Sequence, residues 1–225
     1  TWPAVPITYI EGTLSATANP WYCSIMTTLP DYSAAVAHLS AADPVLARVI
    51  AAVGPCELRP TGHSFVTLVD AIVSQQISVR AAEAIMGRLA AALAEITPAS
   101  ILAASDETLR GVGLSGQKTR YLRDLAAHAA AGGLDALPQL DDEAAIAALT
   151  AIKGIGRWTA EIYLLFALGR PDVLPADDLG LRYAAQQFYG LPAAPSAAAV
   201  RALGEPWRPY RSVAAWYLWH GRRTL

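Results

Sequence analysis

Cysteine is nearly absent: Cys23 and Cys56 are the only two. That excludes a structural disulfide framework, a four-thiolate zinc site and an iron–sulfur cluster, and it suits a cytosolic protein with two ordinary thiols. His38, His63, His128 and His220 are scattered without metal-ligand spacing, so a metal enzyme is not expected. Charged residues make up only 16% of the chain against 54% apolar, which excludes disorder over most of its length. No apolar run approaches the roughly 20 residues of a membrane span. Residues 1–25 lack the basic start and apolar core of a signal peptide. Val, Ile and Thr do not gather into alternating runs, so strands have little support, whereas alanine is abundant and favours helices.

What is present is a succession of helical segments separated by short turn signals. Helices are predicted over 32–40, 44–53, 64–77, 79–96, 98–104, 106–110, 118–131, 141–150, 159–168, 178–188, 194–203 and 210–221. Asp43 followed by Pro44 marks one start through an N-cap and a proline at the first helical position. Residues 1–29 read as an N-terminal extension outside the working fold, or else as an arm packed through Trp2 and Trp21. The fold class is all-α. Net charge is −2, but residues 1–149 carry −6 and residues 150–225 carry +4. A basic C-terminal third of this kind can form a local phosphate-binding face.

Residues 149–161, Leu-Thr-Ala-Ile-Lys-Gly-Ile-Gly-Arg-Trp-Thr-Ala-Glu, are the most informative segment. An apolar helix end runs into Gly154-Ile155-Gly156 and straight back into helix-forming sequence. The reading is a hairpin between two helices, with glycines where the turn leaves no room for a Cβ. Backbone amides at the start of the second helix suit a phosphate, with Lys153 or Arg157 adding a second contact. Carbonyls before the glycines, at Thr150, Ile152 and Gly154, are candidate ligands for a monovalent cation, Na+ or K+. An ordinary helix–helix turn also contains Gly-x-Gly, but the apolar helix before it and Thr159-Ala160 after it favour the grip. Downstream, Asp177-Asp178 follows a Gly/Pro-rich stretch and opens another helix, where an Asp commonly serves as a cap.

These residues resemble the helix-hairpin-helix (HhH-GPD) DNA glycosylases, and among them the AlkA-type 3-methyladenine DNA glycosylases II. The resemblance covers about residues 30–225. It rests on 68–78 (Leu-Val-Asp-Ala-Ile-Val-Ser-Gln-Gln-Ile-Ser), 109–114 (Leu-Arg-Gly-Val-Gly-Leu), the hairpin, and 172–181 (Asp-Val-Leu-Pro-Ala-Asp-Asp-Leu-Gly-Leu). It implies two helical subdomains with a DNA-binding cleft between them: 30–70 plus 176–225 as one lobe, and 71–175, carrying the hairpin, as the other. AlkA-type proteins usually bear a further N-terminal α/β domain, for which the residues ahead of the first family-like helices are too few.

The resemblance assigns roles to individual residues. Asp178 is the catalytic position, and Asp177 caps or orients the helix start. Trp158 stands where bifunctional members place a Schiff-base lysine, which implies hydrolysis without lyase activity. Trp158 and Trp219 match aromatic positions of the base pocket, where a cationic alkylated purine stacks well. Trp216, Tyr163 and Tyr183 are secondary pocket candidates, the first two better explained by core packing. Gln76 matches the side chain that wedges into the gap left by the extruded nucleotide. The DNA contacts implied are therefore Gln76, Lys153, Gly154, Ile155, Gly156, Arg157 and Thr159.

The activity implied is hydrolytic excision of alkylated bases from duplex DNA in base-excision repair. The expectation is a monomer in the bacterial cytoplasm, with no cofactor other than the hairpin cation. Two rivals stay open: a non-catalytic module that senses DNA damage, and a monofunctional glycosylase of the same fold acting on oxidised or mismatched bases. Retention of Asp178 and the aromatic positions weighs against the first. The missing lysine and missing cluster weigh against most forms of the second.

Overall fold

A computed structural model describes residues 30–62 and 64–225, so the expectations for residues 1–29 lie outside the described residues. Among those described there are twelve α-helices and no strand, and the all-α reading is correct. The helices are α1 (Ser33–Ala42), α2 (Pro44–Val53), α3 (Phe65–Val73), α4 (Val79–Leu93), α5 (Pro98–Ala103) and α6 (Asp106–Gly111). They continue as α7 (Gly116–Ala130), α8 (Asp142–Thr150), α9 (Arg157–Phe166), α10 (Leu179–Tyr189), α11 (Ala197–Leu203) and α12 (Arg211–Thr224). No helix among the described residues is long and apolar enough to cross a membrane.

Side-chain caps explain most of the starts. Asp43, Ser64, Ser78, Thr97, Ser105, Ser115, Asp141, Asp178 and Ser196 each accept a backbone N–H of the helix that follows, satisfying a donor that would otherwise be orphaned. At α9 the N-cap is Gly156, which has no side chain to occupy the first-turn amides. The first-turn N–H groups of the hairpin helix are therefore left without a capping side chain.

Two groups of helices form the lobes. In one, α12 packs against α2, α10 and α1. Asp43 ties this lobe together: its Oδ1 accepts Val45 N at 2.8 Å and Leu46 N at 3.2 Å, and its Oδ2 accepts the Tyr189 hydroxyl at 2.5 Å and Trp207 Nε1 at 2.9 Å. In the other lobe α7 packs on α3 and α5, and α8 on α9. The expected boundary at 70/71 falls inside α3, whose helical neighbours are α4, α7 and α9. A single continuous apolar core runs through both lobes.

The helix predicted over 64–77 ends early, at Val73. Lys118 Nζ donates to the carbonyls of Val73 at 2.6 Å and Gln75 at 2.7 Å, taking acceptors that a longer helix would use. Gln76 beyond them has a φ of +58°, a left-handed conformation incompatible with continuing the helix.

The segment between α9 and α10 is fixed by polar contacts. The Arg170 guanidinium donates to the carbonyls of Pro138 at 2.9 Å and Leu140 at 2.6 Å. Asp172 accepts from Arg211 and Arg208, each at 2.7 Å. Ser212 Oγ accepts Val173 N at 2.9 Å and donates to Arg170 O at 2.6 Å. The start of α12 thus holds the loop that delivers Asp178.

Candidate active site

Asp178 caps α10 and is 8% exposed. Its Oδ1 accepts Leu181 N at 2.7 Å and Trp219 Nε1 at 2.9 Å, and its Oδ2 accepts Trp158 Nε1 at 3.0 Å. Three helices therefore converge on one carboxylate: α9 through Trp158, α10 through its own first turn, and α12 through Trp219. Gly180 makes room for this clamp, since a Cβ there would lie 3.0 Å from Asp178 Oδ1 and 3.6 Å from the Trp219 indole. The Gly two residues after the Asp pair was a sequence signal that pattern reading passed over. Asp177 points elsewhere and pairs with Arg201 at 2.9 Å on the exposed surface.

The aromatic residues separate by environment. Trp158 is half-buried. Trp219 is 3% exposed and stacks on Phe166, with ring centroids 5.9 Å apart. Trp216 and Tyr163 are buried, and Trp216 stacks on His220 at 4.0 Å. Tyr183 is exposed, with the Arg222 guanidinium 5.5 Å from its ring centroid.

At the hairpin the two glycines differ. Gly154 has a φ of +88°, and a Cβ on it would come within 2.3 Å of the Tyr121 ring. Gly156 has a φ of −91°, and a Cβ on it would meet nothing within 4 Å. The expectation that both lack room for a Cβ thus applies to Gly154 alone. The small residue at 156 leaves space on the outer side, where a group from outside can approach the α9 amides.

The side chains expected around the hairpin are unevenly available. Ile155 and Thr159 are buried, so any contact they make with DNA is through the backbone. Lys153 is 76% exposed at its side chain and lies 3.4 Å from Asp124. Arg157 bonds Glu143 through two nitrogens and Glu161 Oε1 at 2.9 Å. Glu161 is buried and its Oε2 has no partner. Burial pushes its carboxyl up to about 7, against the opposing pull of Arg157. This carboxyl, on the helix that presents Trp158, has no counterpart in the sequence reading. Gln76 is exposed.

The candidate cation ligands are the carbonyls of Thr150, Ile152 and Gly154, and two of them already accept a hydrogen bond. The Gly154 oxygen accepts Gln75 Nε2 at 2.8 Å, and the Ile152 oxygen accepts Ile155 N at 3.1 Å. Each of these two oxygens keeps a second lone pair. No group of three or more His, Cys, Asp or Glu able to hold a metal occurs among the described residues.

Residues 69–209 match the HhH-GPD superfamily of base excision DNA repair proteins. The alkylbase DNA glycosidase-like protein mag2 of Schizosaccharomyces pombe is 35% identical over 198 residues, covering 84% of this chain and 93% of mag2. The solved structure of S. pombe 3-methyladenine DNA glycosylase Mag1 in complex with abasic DNA superposes with a TM-score of 0.74 at 35% identity, over 83% of this chain and 95% of that one. A DNA-3-methyladenine glycosidase from Bacillus halodurans superposes at 0.77 and 37% identity, over 83% and 88%.

Proposed function

This chain belongs to the HhH-GPD superfamily of base excision DNA repair proteins, and from that premise we propose that it is a monofunctional glycosylase that hydrolyses alkylated bases, 3-methyladenine among them, from duplex DNA. The observation that carries the reading is the clamped Asp178. A buried carboxylate beside two indoles suits a reaction that expels a cationic purine and leaves positive charge on the sugar. The duplex is gripped at the uncapped first-turn amides of α9, where Gly156 leaves room for a backbone phosphate. Trp158, half-buried with its N–H on Asp178, offers a ring for the extruded base.

An ionised carboxylate has about four acceptor positions, and three N–H groups already face Asp178. Its main resource is therefore a fixed negative charge beside the developing oxocarbenium, with the remaining direction free to orient water. In the reaction, water adds to the anomeric carbon and the glycosidic electron pair leaves with the base, which departs neutral. The water proton passes to solvent.

The lysines support a reaction without lyase chemistry. The chain has two, Lys118 and Lys153. Lys118 Nζ is committed to the carbonyls after α3, and Lys153 sits beside Asp124. Neither makes a hydrogen bond or ion pair with Asp178, whose side-chain partners are Leu181 N and the indoles of Trp158 and Trp219.

The test is product analysis on methylated duplex DNA. Free alkylated base should appear, the strands should stay intact until alkali is added, and borohydride should trap no covalent adduct. A trapped adduct would overturn the hydrolytic assignment, and absence of base release would overturn the enzyme reading.

A further inference from the structure

The turn between α3 and α4 and the hairpin between α8 and α9 come from chain segments almost 80 residues apart, yet one stripe of α7 braces both. Lys118, Tyr121 and Asp124 recur at three-residue spacing, so they share a face of that helix. Lys118 Nζ holds the carbonyls of Val73 and Gln75 at 2.6 and 2.7 Å. The Tyr121 ring lies against Gly154, so close that a Cβ there would fall 2.3 Å away. Asp124 Oδ2 accepts Lys153 N at 2.9 Å. Gln75 closes the arrangement directly, its Nε2 donating to Gly154 O at 2.8 Å.

Between these anchors stands Gln76, exposed and with a φ of +58°. Glycine is the usual residue where a chain turns left-handed after a helix, and another side chain there costs about 1–2 kcal/mol. Lys118 offsets that cost by a charge-assisted bond to carbonyls that the end of α3 leaves without helical partners. A strained turn that is held by a half-buried cation and presents its side chain outward is built to keep that side chain in one place.

We propose that Gln75 and Lys118 are positioning residues that lock the Gln76 turn to the hairpin at fixed spacing, so that the side chain at 76 enters the duplex in register with the phosphate grip. This rests on the glycosylase reading above. Neither residue touches the substrate. They act by making the opening of the stack and the hold on the backbone a single rigid event, which saves the ordering cost of two independent turns.

The experiment uses duplex DNA with 2-aminopurine beside an alkylated base, so that fluorescence reports opening of the stack independently of base release. A second duplex carries an abasic site opposite the lesion, where the stack is already open. At saturating protein, Gln75→Met and Lys118→Met should reduce the fluorescence rise and the single-turnover excision rate about tenfold on the closed duplex, and by less than about threefold on the opened one. Lys118→Arg should recover most of the loss. Equal losses on both duplexes, no loss on either, or no fluorescence rise with the wild type would overturn the positioning role. A wild-type rise that Gln75→Met abolishes, with no base released from either duplex, would support positioning and overturn the glycosylase reading. Base release unaffected by either substitution would do the reverse.

Discussion

Trp219 and Asp178, 41 residues apart in sequence, meet at 2.9 Å, the indole N–H donating to a carboxylate oxygen that also caps α10. Trp219→Phe keeps an aromatic ring against Phe166 and removes the donor together with part of the buried ring. A hydrogen bond to a charged group is worth about 1.5–3 kcal/mol. If that bond holds the carboxylate for the reaction, the single-turnover rate should fall about 10–100-fold while affinity for abasic DNA stays close to wild type. An unchanged rate would show that the indole N–H does not position the carboxylate.

The two hairpin glycines should fail differently. Gly154→Ala meets both the positive φ and the Tyr121 ring, so stability should drop by about 2 kcal/mol or more, read as the midpoint of urea unfolding. Gly156→Ala meets nothing in the protein and should leave the unfolding free energy within about 1 kcal/mol. It should nonetheless weaken duplex binding and change its salt dependence. Wild-type affinity in Gly156→Ala would remove the hairpin as the phosphate grip.

Glu161 should make stability depend on pH. Its carboxyl is raised from 4.5 to about 7, chiefly by burial, so the folded state holds this proton more tightly than the unfolded chain. Its contribution is complete below about pH 4.5 and is lost as pH rises through about 7. Glu161→Gln should flatten that part of the profile, because the amide cannot ionise. Parallel stability profiles for the two proteins between those pH values would contradict the assignment.

Asp43 should matter to folding and not to chemistry. Its four hydrogen bonds join the start of α2 to Tyr189 and Trp207. Tyr189 ends the 11-residue helix α10 that Asp178 begins, a separation of roughly 16 Å along its axis. Asp43→Ala should cost about 3 kcal/mol and lower the thermal midpoint, with excision per folded molecule unchanged. A large loss of excision rate in fully folded protein would show that this node is coupled to Asp178 along α10.

Much of this was legible in the chain because local chemistry decided it. Asp43-Pro44 marks the start of α2 without any tertiary information, and Gly154 signals a turn that only glycine can make. The place of Asp178 at a helix start was likewise readable from its neighbours. What could not be read were contacts between distant segments. Nothing around Lys118 says that its ammonium will reach the end of α3, and nothing around Trp219 says that its N–H will meet Asp178 rather than solvent. Ile155 and Thr159 are expected among the DNA contacts, and the sequence does not say that their side chains are buried, because position within a motif does not fix which face of a turn looks outward.

The central claim is that the clamped carboxylate of Asp178 carries the reaction. Base release from methylated duplex DNA should be measured under single-turnover conditions for the wild type and for Asp178→Asn, with binding to abasic DNA measured alongside. Asparagine still caps a helix, so the variant should fold and bind, while its release rate should fall by about 100-fold or more. A variant that binds abasic DNA and releases base within a few-fold of the wild-type rate would contradict the account.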